Sequence, residues 1–126
     1  MAEGVATCPR MTTPNIPSID LQTFATLPNH GVTAIDFTAA ACGPCRTMLP
    51  ILEDLAGEYA RHVRIVAVDV DHEHALAEQF SIRAMPTLVI LRDGHEVGRV
   101  IGSRSRGFLR GVLDRALAGD VAIAAP

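Results

Sequence analysis

Cys42 and Cys45 are separated by Gly43 and Pro44 and directly follow an apolar, β-prone run over 32–37 that only Thr33 and Asp36 interrupt. Gly43-Pro44 stops a strand and can open a helix. Cysteines with this spacing at a helix start lie about one turn apart, so the two thiols can close a small disulfide ring and reopen it. Asp36 is the second candidate for chemistry, an acid set in an otherwise apolar strand. Burial of an unpaired carboxylate raises its pKa and readies it to exchange a proton with a thiol. Read plainly, it is a carboxylate that satisfies a local hydrogen bond.

The elements that must hold these residues can be read from periodicity. A buried strand is expected over 32–38, and a long helix from Pro44 to about Arg61. Pro44 suits the first helical turn, whereas Pro50, inside the apolar pattern Met48, Leu49, Ile51, Leu52 and Leu55, predicts a kink. Ahead of the strand, Leu21, Phe24 and Leu27 suggest a short amphipathic helix over 18–27 with Ser18 or Asp20 as its cap, and residues 28–31 form a turn. The β-branched run over 63–70 reads as a second buried strand. Asp71 is a candidate cap for the next helix, whose stripe is Ala75, Leu76, Gln79 and Phe80. A strand over 87–91 is followed by the Asp93-Gly94 turn and an antiparallel strand over 96–101. A last helix over 105–118 puts Phe108, Leu109, Val112, Leu113, Ala116 and Leu117 on one face. This order gives an α/β fold with a central mixed sheet flanked by helices.

The 126 residues, 48% of them hydrophobic, suffice for one domain with a single sizeable core. The expected organisation is a flexible arm over 1–17, a domain over 18–119 and a frayed tail over 120–126, with Met11 an alternative start. A net charge of -3 supplies none of the clustered Lys and Arg that nucleic-acid binding requires. Arg99, Arg104, Arg106 and Arg110 read as a solvated face. Three cysteines, an odd number, argue against a stapled secreted scaffold. No run resembles a signal peptide or the ~20 apolar residues of a membrane span, so a cytoplasmic protein without a membrane partner is expected. Cys8 reads as an incidental exposed thiol, with a metal ligand or an intermolecular disulfide as alternatives. His72 and His74 flank Glu73, but histidines at i and i+2 share no helix face, which favours a solvated first turn over a metal site; His95 reads as surface.

Taken together, Asp36-Phe37 on a strand, Cys42-Gly43-Pro44-Cys45, Pro50 in the helix, Met85-Pro86-Thr87 opening a strand, and Gly94 and Gly102 after it resemble the thioredoxin family over about residues 18–119. The resemblance implies that family's mixed sheet, a cis Met85-Pro86 bond, and a thiol-disulfide oxidoreductase that reduces protein disulfides with no cofactor beyond the redox-active Cys42-Cys45 pair. It also implies recharging by a thioredoxin-reductase-type flavoprotein and action as a monomer. In this reading Cys42, at the helix N-terminus, is the nucleophile, Cys45 resolves the mixed disulfide, and Asp36 relays a proton. Gly43 and Pro44 form the active-site loop, while Ala41, Met85, Pro86, Thr87 and Gly102 bind substrate, the Met85 backbone pairing with an added strand. Neither a metal nor a further cofactor is expected.

The chain also departs from the family pattern. Where tryptophans are usual it has Thr38 and Ala41, and where a lysine commonly neighbours the buried acid it has Ala67. A thioredoxin-like module that holds a client or assembly partner, with reduced redox activity, therefore stands as the alternative. A metal or iron-sulfur site bridged between protomers by Cys42, Cys45 and Cys8 is a third reading.

Overall fold

The computed structural model of the chain, which describes residues 15–119, is built around Val32–Thr38 (β1), all seven of whose residues are buried. Its neighbours are Val63–Asp69 (β2), parallel to it, and Thr87–Arg92 (β3), antiparallel. His95–Ile101 (β4) closes the sheet against β3, giving the order β2-β1-β3-β4. The helices are Leu21–Ala25 (α1), Gly43–Glu58 (α2), His74–Gln79 (α3) and Arg106–Leu117 (α4).

Alternation along β1 sends successive side chains to opposite faces and so divides the core in two. Val32 and Ala34 pack with Met48, Leu52 and Leu55 of α2 and Leu109, Val112 and Leu113 of α4. Ile35 and Phe37 pack on the other face with Val66, Val68, Val89 and Leu76. There Phe80 meets Phe37 at 5.4 Å and Phe24 edge-on at 5.6 Å between ring centroids. Asp36 and Thr38 fall on the α2 side by the same alternation. A sheet covered on both faces explains why β1 and β2 read as nearly continuous apolar runs.

The helix starts follow local chemistry. Asp20 caps α1 by accepting from the Thr23 N–H at 2.8 Å, and Ser105 caps α4 by accepting from the Phe108 N–H at 3.2 Å. α2 runs through Pro50 as one helix and ends at Glu58, short of Arg61, where the Tyr59 N–H bonds the Leu55 carbonyl and the chain turns into β2.

Several sequence expectations are corrected. Asp71 does not cap α3, whose N-cap is Glu73 without a side-chain bond. The Asp69 carboxylate captures the Asp71 N–H at 3.0 Å, and the Asp69 carbonyl captures the His72 and Glu73 N–H groups. That turn delays the helix to His74, so His72 is not in it. Leu21 and Phe108, expected on buried stripes, are 46% and 42% exposed; α1 buries none of its residues, and α4 buries Leu109, Val112, Leu113 and Ala116 instead.

Asn15 to Ile19, which begins inside the stretch read as an arm, lies along the β2 edge. Ile16 is fully buried, the Ala67 N–H donates to the Pro17 carbonyl at 2.9 Å, and the Ile19 N–H donates to the Ala67 carbonyl at 2.8 Å. The rest of the arm with Cys8, and the tail over 120–126, lie outside the described residues.

Candidate active site

After β1, a short turn delivers the chain to Cys42, which is the N-cap of α2. Its backbone is extended (φ -134°, ψ 107°), and its Sγ accepts from the Cys45 N–H at 3.2 Å. Cys42 and Cys45 are disulfide-bonded with their Cα atoms 5.3 Å apart. One sulfur is outer and the other inner, for Cys42 is half-buried while Cys45 is 1% exposed. Pro44 occupies the first turn, where its missing N–H leaves nothing unmet. The remaining first-turn N–H groups and the helix dipole favour negative charge at Cys42. Arg46 reaches back to donate to the Ala40 carbonyl, fastening the loop before Cys42 onto α2.

Asp36 is 2% exposed, and burial pushes its carboxyl up to about 7 from an ordinary 3.8. Its register partner on β2 is Ala67 and on β3 is Leu88, so neither adjacent strand offers it a charge or a donor side chain. Among the described residues, Asp36 Oδ1 and Thr38 Oγ1 have no hydrogen-bond partner. Both sit in the layer between β1 and α2, the layer that Cys45, the first buried residue of α2, also enters. Beside Thr38, its register partner Asp69 binds His72 Nδ1 at 2.8 Å.

The Met85-Pro86 bond is cis. β3 starts at Thr87, the register partner of Phe37, so this bond lies at the end of the sheet where β1 leads into α2. Pro86 is buried and Met85 is 37% exposed. Thr87 Oγ1 donates to the Ala84 carbonyl at 2.7 Å, tightening the loop. The Gly102 N–H donates to the Pro86 carbonyl at 2.8 Å, joining the β4 exit to the same loop. Gly102 has φ +93°, and a Cβ there would meet no atom within 4 Å, so backbone conformation is what demands glycine. Ala41 is exposed beside Cys42. Every site residue taken from the sequence therefore comes to this one end of the sheet.

Other candidates fall elsewhere. Among the described residues no cluster of three His, Cys, Asp or Glu side chains is arranged to hold a metal ion, and no helix is long and apolar enough to cross a membrane. Three members of the arginine group have carboxylate partners: Arg99 with Glu96, Arg106 with Asp54 and Arg110 with Glu58. Sequence reasoning missed Arg46 as a loop fastener and the Asp69–His72 pair. The polar residues of the segment over 69–74 are the available signal, but by pattern alone they are indistinguishable from a helix surface.

The thioredoxin family model matches residues 18–115. The chain belongs to the thioredoxin family. A thioredoxin of Staphylococcus haemolyticus is 40% identical over 87 residues, covering 69% of this chain and 84% of that protein. One from Chlamydia pneumoniae is 37% identical over 97 residues, covering 77% and 94%. The crystal structure of Malassezia sympodialis thioredoxin superposes with a TM-score of 0.73 at 29% identity, over 81% of this chain and 90% of that one. The mixed sheet is thus a thioredoxin fold, and the chain is a thiol-disulfide oxidoreductase that reduces protein disulfides through the Cys42-Cys45 pair.

Proposed function

We propose that Cys42 attacks a client disulfide, that Cys45 resolves the mixed disulfide, and that Asp36 takes the proton of Cys45. The observation that carries this reading is the asymmetry of the pair: Cys42 is accessible at a helix N-terminus, whereas Cys45 is 1% exposed. In the reduced protein the Cys42 thiolate attacks one client sulfur, forming a Cys42–client disulfide and releasing the other client sulfur as a thiolate that takes a proton. The Cys45 thiol then loses its proton to Asp36, and its thiolate attacks Cys42 Sγ. The second client sulfur leaves and is protonated, and the Cys42-Cys45 disulfide re-forms. Two electrons have passed from the dithiol to the client. Because Cys45 is held one helical turn from Cys42, this second attack is effectively unimolecular.

Asp36 suits the relay because a carboxyl raised to about 7 is partly ionised at neutral pH and can both take and return a proton. Client recognition is assigned to the exposed Met85 backbone, with Ala41, Pro86, Thr87 and Gly102 shaping the surface for an added strand. The oxidised pair is returned to the dithiol by a thioredoxin-reductase-type flavoprotein, with the protein acting as a cytoplasmic monomer.

The test is insulin disulfide reduction with dithiothreitol as electron source. Wild type turns over, Cys42→Ser does not, and Cys45→Ser accumulates client bound to Cys42. Turnover by Cys42→Ser at the wild-type rate would overturn the assignment.

A further inference from the structure

The arginine group on β4 and α4 leaves one member over. Arg99, Arg106 and Arg110 are each paired with a carboxylate, but Arg104 meets none among the described residues. Instead its guanidinium carbon lies 5.2 Å from the centre of the Phe108 ring, Nη2 donates to the Ile101 carbonyl at 3.4 Å, and Nε is buried without a partner. A guanidinium has five N–H donors in a planar fork, so seated in this way it keeps donors to offer.

Its setting is the rim of the reactive site. Arg104 is two residues beyond Gly102, whose N–H is bonded to the Pro86 carbonyl. Of the four exposed large hydrophobic residues among the described residues, three surround this point: Met85 beside Pro86, Ile101 beside Gly102, and Phe108 beneath Arg104. Arg83 and Arg46 also have no carboxylate partner among the described residues; Arg83 lies two residues before Met85 and Arg46 directly follows Cys45. None of residues 37–52, 80–92 or 97–113 is acidic, so the three rim segments carry only positive charge.

We propose that Arg104, seated on Phe108, binds a client carboxylate close to the disulfide, so that the enzyme prefers client segments carrying Asp or Glu beside the reactive cysteine. The inference rests on the client strand lying along Met85 and Gly102. Apolar contact at Met85, Ile101 and Phe108 supplies area, and the arginine supplies the choice among sequences.

The experiment compares two synthetic disulfide-bonded peptides that differ only in having Glu or Lys at the positions flanking the cysteine. Wild-type protein should reduce the Glu peptide with a kcat/KM about fivefold above the Lys peptide, the size expected of one partly exposed charge pair. In Arg104→Gln the ratio should fall to near one, and in Arg104→Glu it should invert. Arg115→Gln, an equal charge change in the last turn of α4, should keep the wild-type ratio. Equal rates in wild type, or an unchanged ratio in Arg104→Glu, would overturn the proposal while leaving the client-strand reading intact. Reduction of neither peptide by wild type would overturn both.

Discussion

Asp36 and Ala67 are register partners in the parallel β1–β2 ladder, so the buried carboxyl is met on that strand by a methyl group. Desolvation is accordingly the sole cause of its raised pKa, with no cation to offset it.

Stability should therefore depend on pH in a stated direction. The unfolded carboxyl ionises near 3.8 and the folded one near 7, so the folded state holds an extra proton between those values. The stabilisation tied to that proton is complete below about pH 4 and is lost as pH rises through about 7. At ~1.4 kcal/mol per pH unit, the loss is on the order of 4 kcal/mol. Asp36→Ala should be more stable than wild type at pH 8 by about 2 kcal/mol, after a penalty for the cavity, and the order should reverse toward pH 4, where only that penalty remains. Urea unfolding of the oxidised proteins across this range checks it; parallel curves would contradict it.

The same group should govern the resolving step. With Asp36 present, release of client from Cys42 should rise with pH about a midpoint near 7. In Asp36→Asn the midpoint should move toward the ordinary thiol range of about 8.5, and the rate at neutral pH should fall by at least ~10-fold. Stopped-flow measurement of mixed-disulfide decay separates this effect from the first attack, which Asp36→Asn should leave nearly unchanged.

Gly102→Ala tests the rim of the site. A Cβ there meets nothing within 4 Å, so the destabilisation comes from φ +93° alone and should be about 1–2 kcal/mol. Any shift of the loop to relieve it pulls on the bond to the Pro86 carbonyl. The variant should lose kcat/KM for protein clients by more than for a small-molecule disulfide. Equal losses would assign Gly102 a purely structural part.

Away from the site, the Tyr59 hydroxyl donates to Asp114 Oδ1 at 2.6 Å and so joins the end of α2 to α4. Burial and that bond push the tyrosine up to about 12 from 10.0. Tyr59→Phe should cost about 1 kcal/mol in denaturant unfolding, with the difference constant up to about pH 10 and closing above it as the wild-type stabilisation is lost. Turnover at neutral pH should be unchanged.

Much of this was legible in the sequence because it is local. Cys42, Gly43, Pro44 and Cys45 are neighbours whose spacing states its own geometry, and the β-branched run before Asp69 could hardly be anything but a strand. Asp36 stood out because a carboxylate inside an apolar strand requires a reason. What could not be read depends on partners far along the chain. Arg106 and Arg110 are neutralised by Asp54 and Glu58 of another helix, which is why Arg104 could not be told from them by inspection. Phe108 fits the apolar stripe of α4 by period, yet only the packed structure reveals that it stays 42% exposed, with Arg104 over its ring. α3 starts later than the sequence predicts because Asp69, a strand residue, takes amides of the turn before it.

The segment from Pro17 to Ile19 has a consequence for how the chain survives at high concentration. It fills the main-chain bonding positions of Ala67 on the outer side of β2, a strand whose sequence Val63-Arg64-Ile65-Val66-Ala67-Val68 would otherwise present an open, apolar template to other molecules. A chain begun at Met11 keeps this cover, whereas one begun after Ile19 loses it. The shorter chain should aggregate through β2 even with its dithiol chemistry intact, so the few residues ahead of α1 act as a guard against self-association.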